Sequence, residues 1–391
     1  MTDCPAVRSL RILRCALIAV LLAAIAVPSA ASAGSRKVPR GWLGATFTPS
    51  IALRHHSTVD HELGLMKRAG VENVRVAVYW FQIQPKRTGP LQWAGLDAIV
   101  DAAARHGLPL SPVVLGAPGW AAASRMAPIP VPRHSADYTR FMVRLVSRYG
   151  PDGTYWTSHR SVPERPIRTW QIWNEVSNAY YWSGSTWSTA YPQLLKDAYD
   201  AVKGLDPGAK VIMAGLNTTG AGAKPQTSWD ALGRIYDALD AGGLGRPFDA
   251  TATHIYTSRA GDAVRVMRET RKVMNAHGDR ERPAEVTELA WPASKGRLRD
   301  AKGRKRTFFA ETDEKGMAAR LTTGVLALAK QRKALGIGSV DWFQWISPYS
   351  GSVDAFSYSG LRRAHRQIVD TPAMTAFKNV ARRLEGRRIP R

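Results

Sequence analysis

From Gly41 onward, short apolar runs rich in valine, isoleucine and aromatic residues alternate eight times with longer stretches of helical period, the pattern of repeated βα units. The runs predict strands over Trp42 to Phe47, Asn73 to Tyr79, Leu108 to Leu115, Arg168 to Trp173, Lys210 to Ala214, Phe248 to His254, Ala284 to Glu288 and Gly338 to Trp345. Helices are predicted between them over Asp60 to Arg68, Trp93 to His106, Ala136 to Tyr149, Thr189 to Leu205, Trp229 to Ala241, Ala263 to His277 and Lys315 to Ala334. A last helix over Pro372 to Leu384 would close the structure. Gly70, Gly107, Gly150, Gly242 and Gly336 each follow an amphipathic stretch, where a left-handed helix stop is needed. With no short-period repeat and no long linker, the expectation is an α/β fold, a single-domain (β/α)8 TIM barrel over residues 34–391.

The first 33 residues stand outside this pattern. Arg8, Arg11 and Arg14 precede an apolar run over residues 16–27, then Pro28 and Ala31-Ser32-Ala33, the layout of a signal peptide cleaved before Gly34. The run is well short of the ~20 residues that span a bilayer as a helix. A secreted or cell-envelope protein, monomeric and without stable membrane insertion, is therefore expected. Cys4 and Cys15, the only cysteines, both lie in the leader, so the mature chain would rely on core burial without disulfides or thiolate chemistry. The formal charge is +24, or +22 once three arginines and Asp3 leave with the leader. Such an excess favours acidic glycans, anionic surfaces or nucleic acid and does not choose among them.

In a barrel of this kind catalytic groups project from the C-terminal ends of the strands. Those ends carry Arg75 and Trp80, Trp120, Asn174 and Glu175, His254 and Tyr256, Glu288 and Trp291, and finally Trp342 and Trp345. Two carboxylates among aromatic and hydrogen-bonding groups are a sugar-cleaving composition. Cleavage with retention needs two carboxyl groups about 5–5.5 Å apart, and the fourth and seventh strands face each other across a barrel mouth. One carboxyl must keep a proton while the other stays ionised, and Arg75 is placed to hold Glu288 charged. Glu285 lies an odd number of residues from Glu288, so strict alternation would turn it toward the helices. Among the 13 tryptophans, Trp80, Trp120, Trp182, Trp291 and Trp345 are the candidates for stacking on sugar faces. Trp93, Trp170 and Trp229 are expected in packing.

The stretches RTWQIWNEVSN and EVTELAW, which end strands at Glu175 and Glu288, closely resemble the acid/base and nucleophile strands of the clan A retaining glycoside hydrolases. More narrowly, residues 148–175, VRVAVYWFQIQP and PLQWAGLDAIVDAAARHGL are similar to the xylosidase and iduronidase-like branch and its endoglycosidase relatives, so that the likeness runs from about Trp42 to Trp345. The resemblance implies Glu175 as general acid/base and Glu288 as nucleophile. It also implies that Asn174 binds the hydroxyl beside the anomeric carbon, that Arg75, His254 and Tyr256 order the nucleophile, and that the substrate is a polysaccharide or oligosaccharide. Val176 stands where many relatives have proline and Ala290 where glycine is usual; both bear on loop shape and substrate choice.

Other readings remain beside this one. A carbohydrate-binding protein on a hydrolase scaffold would usually have lost one carboxylate, and both are present. Transglycosylation shares the glycosyl-enzyme intermediate. A nucleic-acid partner is suggested only by charge, since the basic residues are scattered and no recognition motif occurs. His55 and His56 are adjacent, but no HExxH motif or Cys/His cluster accompanies them, so neither metal nor cofactor is expected. GxSxG is absent. The basic segment KGRLRDAKGRKR, residues 295–306, falls in the loop after the seventh strand and reads either as a preference for an anionic polysaccharide or as a solvated loop. The C-terminal RRLEGRRIPR reads as a frayed, solvated end.

Overall fold

The computed structural model describes residues 35–55, 57–218, 226–364 and 370–387. The leader expected over residues 1–33 lies outside them, as do His56 and the last four residues of the basic C-terminus. In chain order the first half comprises β1 (Leu43–Phe47), α1 (Pro49–Arg54), α2 (Val59–Ala69), β2 (Asn73–Tyr79), α3 (Trp80–Ile83), α4 (Ala94–Arg105), β3 (Leu110–Leu115), α5 (Ser135–Tyr149), α6 (Thr154–Ser158) and β4 (Thr169–Ile172). The second half comprises α7 (Trp187–Leu205), β5 (Lys210–Leu216), α8 (Ser228–Ala241), β6 (Ala250–Ile255), α9 (Asp262–Ala276), β7 (Ala284–Leu289), α10 (Glu314–Leu335), β8 (Ile337–Trp342), β9 (Ile346–Ser347), β10 (Arg362–Arg363) and α11 (Pro372–Leu384).

Strands β1 to β8 form a closed parallel barrel in sequence order, and β8 returns to β1 through Leu43 beside Val340 and Ala45 beside Trp342. This is a single (β/α)8 TIM barrel. All positions of β1, β3, β6 and β7 are buried, because helices cover the outside and side chains fill the inside. Such strands read as nearly continuous apolar runs. Helix ends follow local chemistry. Thr58 Oγ1 accepts from the His61 amide at 3.1 Å to start α2, and Lys67 and Arg68 occupy its last turn. Thr227 and Asp230 make a reciprocal capping box at α8.

Of the five glycine stops, Gly70, Gly107 and Gly336 have left-handed backbones, at φ +92°, +65° and +61°. Gly150 and Gly242 do not, with φ −71° and −84°. The left-handed turn after α8 falls one residue later, on Gly243. The eighth strand is also shorter than expected, ending at Trp342 rather than Trp345. Trp345 instead turns under the barrel wall, where its indole donates to buried Glu62 at 2.8 Å.

Glu285 does not face the helices. It is fully buried, forms an ion pair with Lys210 of β5, and crowds Gly338, whose added Cβ would lie 2.3 Å from its Oε1. Strict alternation is broken because β7 is irregular: the pairing with β6 passes from Thr253 beside Val286 directly to His254 beside Glu288. The extra residue, Thr287, resets the alternation, so Glu285 and Glu288 both point inward. The same bulge sets Glu288 next to His254.

Candidate active site

Arg75, buried on β2, organises the mouth. Its Nε donates to Gln171 Oε1 at 2.9 Å, its Nη1 to Glu288 Oε1 at 2.7 Å and its Nη2 to Asn174 Oδ1 at 2.7 Å. A planar guanidinium can hold three acceptors in fixed directions, so one side chain ties the ends of β4 and β7 together. The other Glu288 oxygen, Oε2, accepts from the Tyr256 hydroxyl. Burial, and then the charge of Glu288, push the Tyr256 hydroxyl well above its ordinary value. It therefore stays protonated and remains a donor.

Glu175 reaches the same space by a different route. Beyond Ile172 the chain leaves regular strand geometry, with Trp173 at φ +68° and Glu175 at φ +40°. Left-handed backbone at non-glycine residues costs of order 1–3 kcal/mol each and persists only where surroundings enforce it. Here the Glu175 amide donates to Gly215 O at 2.9 Å, and the Trp173 indole donates to Tyr181 O at 2.9 Å. Asn178 Nδ2 donates to Glu175 Oε2 at 2.9 Å. Its Oε1 lies 2.6 Å from His254 Nδ1, which is also 3.4 Å from Glu288 Oε2. His254 Nε2 is buried without a partner among the described residues. The nitrogen that faces both carboxylates is Nδ1, which donates when it carries the ring proton. Gly215 makes room for the ring, since a Cβ at that position would lie 2.1 Å from Nε2.

One oxygen of Glu175, one of Glu288 and a ring nitrogen of His254 lie within 4.8 Å of one another, all on buried residues. The set is compact enough to hold a metal ion. The guanidinium 2.7 Å from Glu288 and the tyrosine on its second oxygen occupy the lone pairs a cation would need, and favour carboxylate chemistry.

No protein-family model matches the chain, and no curated protein matches it in sequence. Among solved structures it is similar to a family 39 glycoside hydrolase from Bacteroides cellulosilyticus, with 18% identity and a TM-score of 0.61 over 88% of this chain and 64% of that one. It is also similar to a glucosidase from Croceicoccus marinus, with 15% identity and a TM-score of 0.64 over 90% and 69% of the two chains. An intracellular xylanase from Thermoanaerobacterium saccharolyticum gives 16% identity and a TM-score of 0.56 over 86% and 94%. The fold is the TIM barrel of these hydrolases. The chain spans just under two thirds of the length of the first of them.

Arg75, Asn174, Glu175, His254, Tyr256 and Glu288 thus converge on one mouth. Four of the five tryptophans proposed as sugar platforms do not join them. Trp80 is fully buried and stacks on Phe141, with ring centroids 5.5 Å apart. Trp182 packs edge-on to Trp173. Trp291 points outward, its indole donating to Thr257 O at 2.7 Å and its ring against Gly324 of α10. Trp345 lies against Glu62. These large rings are drawn into the layer between barrel and helices, where they bury the most apolar area. Trp120 alone is half-buried, below the Arg87 guanidinium.

The aromatic groups near the carboxylates are tyrosines and phenylalanines. Burial, then the charges of Glu175 and Glu288, push the half-buried Tyr181 hydroxyl up. Tyr256 meets Phe356 at 4.8 Å and Phe308 at 6.5 Å between ring centroids. Gln171, Asn178, Tyr181, Phe308 and Phe356 were not foreseen. Asn178 and Tyr181 could have been, as polar and aromatic residues just beyond the strand end at Glu175; Phe308 and Phe356 come from long loops whose return to the mouth leaves no local mark. The basic loop 295–306 folds partly onto itself, with Arg304 paired to Asp300 at 2.6 Å and Arg299 bridged to Lys305 through the backbone. Lys302 and Arg306 stay exposed.

Proposed function

We propose that this chain is a secreted retaining glycoside hydrolase that cleaves a polysaccharide or oligosaccharide by double displacement. The reading rests above all on two buried carboxylates, from the ends of β4 and β7, whose nearest oxygens lie within 4.8 Å across the mouth. That approach suits direct displacement, which uses carboxyl groups about 5–5.5 Å apart, and is too close for the about 6.5–9.5 Å that inverting enzymes need to admit water between them. The glycoside hydrolases among the structural neighbours support it, and the leader sequence supports export.

The contacts distinguish the two acids. Glu288 is paired with a fixed guanidinium and is the anion that attacks the anomeric carbon. Glu175, which among the described residues has no cation beside it comparable to Arg75 and contacts His254 and Asn178, delivers its proton to the departing glycosidic oxygen. It then takes a proton from the water that attacks the same carbon and releases Glu288. Asn174, its Oδ1 held by Arg75, keeps its amide hydrogens free for the neighbouring sugar hydroxyl. The exposed cations of loop 295–306 favour an anionic polymer. A sugar acceptor in place of water would give transglycosylation through the same intermediate.

The experiment is trapping with 2-deoxy-2-fluoro xylosyl and glucosyl fluorides, followed by mass spectrometry of the digested protein. A label on the peptide containing Glu288 is expected. A label on another carboxylate would overturn the assignment, and so would failure to trap or hydrolyse any member of a broad glycoside panel.

A further inference from the structure

At the N-terminal end of the barrel, opposite the mouth, lies a cleft of about 470 Å³ bounded by the segment before β1, the end of α2, the entry to β2 and α11. It brings together two basic stretches from the extremes of the domain. RKVPR, residues 36–40, is joined to the end of α11 by a hydrogen bond from the Lys37 amide to Leu384 O at 2.8 Å. Gly70, at φ +92°, lets α11 close against α2; a Cβ there would lie 2.6 Å from Ala381 Cβ.

Seven cationic side chains line the cleft against two acidic ones, Glu72 and Glu385. Three of the cations are engaged: Arg36 with Glu72, Arg387 with Glu385 at 3.0 Å, and Lys67 with Gly107 O at 3.4 Å. Arg40, Arg68 and Arg382 have no acidic partner among the described residues, and the nearest acid to Lys378 is Asp370 at 4.0 Å. Part of the excess answers the C-terminal dipoles of α2 and α11, each worth roughly half a negative charge. Together with the two glutamates they supply roughly three negative units, well short of what seven cations carry. A concave surface concentrates such a field.

We propose that this cleft binds the acidic groups of a uronate- or sulfate-bearing polysaccharide, as a tethering site separate from the carboxylate pair. Guanidinium forks match carboxylate and sulfate oxygens in pairs, and the three arginines without an acidic partner, Arg40, Arg68 and Arg382, can offer them. Among the described residues no aromatic side chain lines the cleft, so these residues offer no stacking surface of the kind with which proteins grip nucleic-acid bases. The seven-residue β2 separates it from the mouth by about 20 Å, so a polymer held here leaves the mouth open.

The test uses the whole protein and polygalacturonate, heparin and a DNA duplex as probes, with binding read by calorimetry at several salt concentrations. The triple variant Arg40→Gln, Arg68→Gln, Arg382→Gln is expected to bind the acidic polysaccharides at least tenfold more weakly, with a shallower salt dependence. Arg68→Gln alone is expected to lose about threefold, which covers any misfolding of the triple variant, and both should hydrolyse a short chromogenic glycoside at the wild-type rate. Unchanged polysaccharide binding in the variants would overturn the proposal, as would DNA binding of equal strength lost in parallel, or loss of activity on the short substrate.

Discussion

Arg75 Nη1 lies 2.7 Å from Glu288 Oε1 while the same guanidinium holds Asn174 and Gln171. A lysine at this position would keep the charge but present it from a single point, and could not direct hydrogens to three acceptors on two strands. Misplacing a catalytic group by about 1 Å costs on the order of 100-fold in rate. Arg75→Lys is therefore expected to lower kcat/KM by about 100-fold with its melting temperature largely preserved. Steady-state kinetics alongside thermal unfolding would check this, and a loss smaller than threefold would remove Arg75 from the machinery.

The two acids should fail differently. On the proposed assignment Glu175→Ala removes proton donation, a contribution of about 100- to 10,000-fold, so cleavage of unactivated glycosides should collapse. Aryl glycosides with good leaving groups should still form the intermediate, and azide should restore turnover as a glycosyl azide of retained configuration. Glu288→Ala should show neither behaviour. Product stereochemistry by NMR decides; an azide product of inverted configuration from Glu175→Ala would reverse the two roles.

Gly215 is required by what stands opposite it. A Cβ there would lie 2.1 Å from His254 Nε2 and 2.8 Å from Thr287 Oγ1, and buried overpacking of this kind typically costs 1–3 kcal/mol. Because His254 Nδ1 contacts both carboxylates, Gly215→Ala is expected to reduce kcat at least tenfold. The comparison is Gly204→Ala, where the backbone is helical, a Cβ meets nothing within 4 Å and kcat should stay at the wild-type level. Equal kcat in both variants would show that His254 need not be held.

The barrel was legible in the sequence because parallel strands covered on both faces are largely apolar, and amphipathic helices must separate them. Glu175 and Glu288 were legible because strand ends in a barrel point to one mouth. Parity misled at Glu285, since the bulge at Thr287 changes which face each residue takes and has no signature in EVTEL. The tryptophans misled for another reason. Trp291 and Trp345 sit near strand ends, but a strand end offers two directions, and the indole goes wherever burial and a partner for its N–H coincide: Thr257 O for one, Glu62 for the other.

That difference can be measured at Trp345 and Tyr181. Trp345→Phe removes the donor to Glu62 and leaves a buried carboxylate oxygen underserved, a loss of about 1–3 kcal/mol. Its unfolding midpoint should fall while KM stays put. Tyr181→Phe keeps the ring but removes the hydroxyl that feels the charges of Glu175 and Glu288, and should raise KM or lower kcat with little effect on stability. The opposite pattern, a shifted KM in Trp345→Phe and a destabilised Tyr181→Phe, would return the tryptophan to the sugar.

Asp341 on β8 supplies a pH dependence of the fold. It is buried at the base of the barrel, accepts from Asn73 Nδ2 at 3.1 Å, and fills the space beside Gly44, whose Cβ would lie 1.9 Å from its Oδ1. Burial pushes its carboxyl up to about 7; Asn73 and Arg75 pull it back down, and Glu285 adds to the rise. The folded value stands above the unfolded one, so the protonated form belongs to the native state. Its stabilising effect is complete below about pH 4 and is lost as pH rises toward 7 and beyond, a change of at most about 4 kcal/mol. Asp341→Asn, which keeps the shape and an acceptor for Asn73 but never ionises, should match the wild type near pH 4. Its advantage should grow up to about pH 7 and level off by about pH 8. Urea unfolding across that range would show the widening gap, whereas a constant difference would mean that Asp341 is ionised in the folded protein throughout.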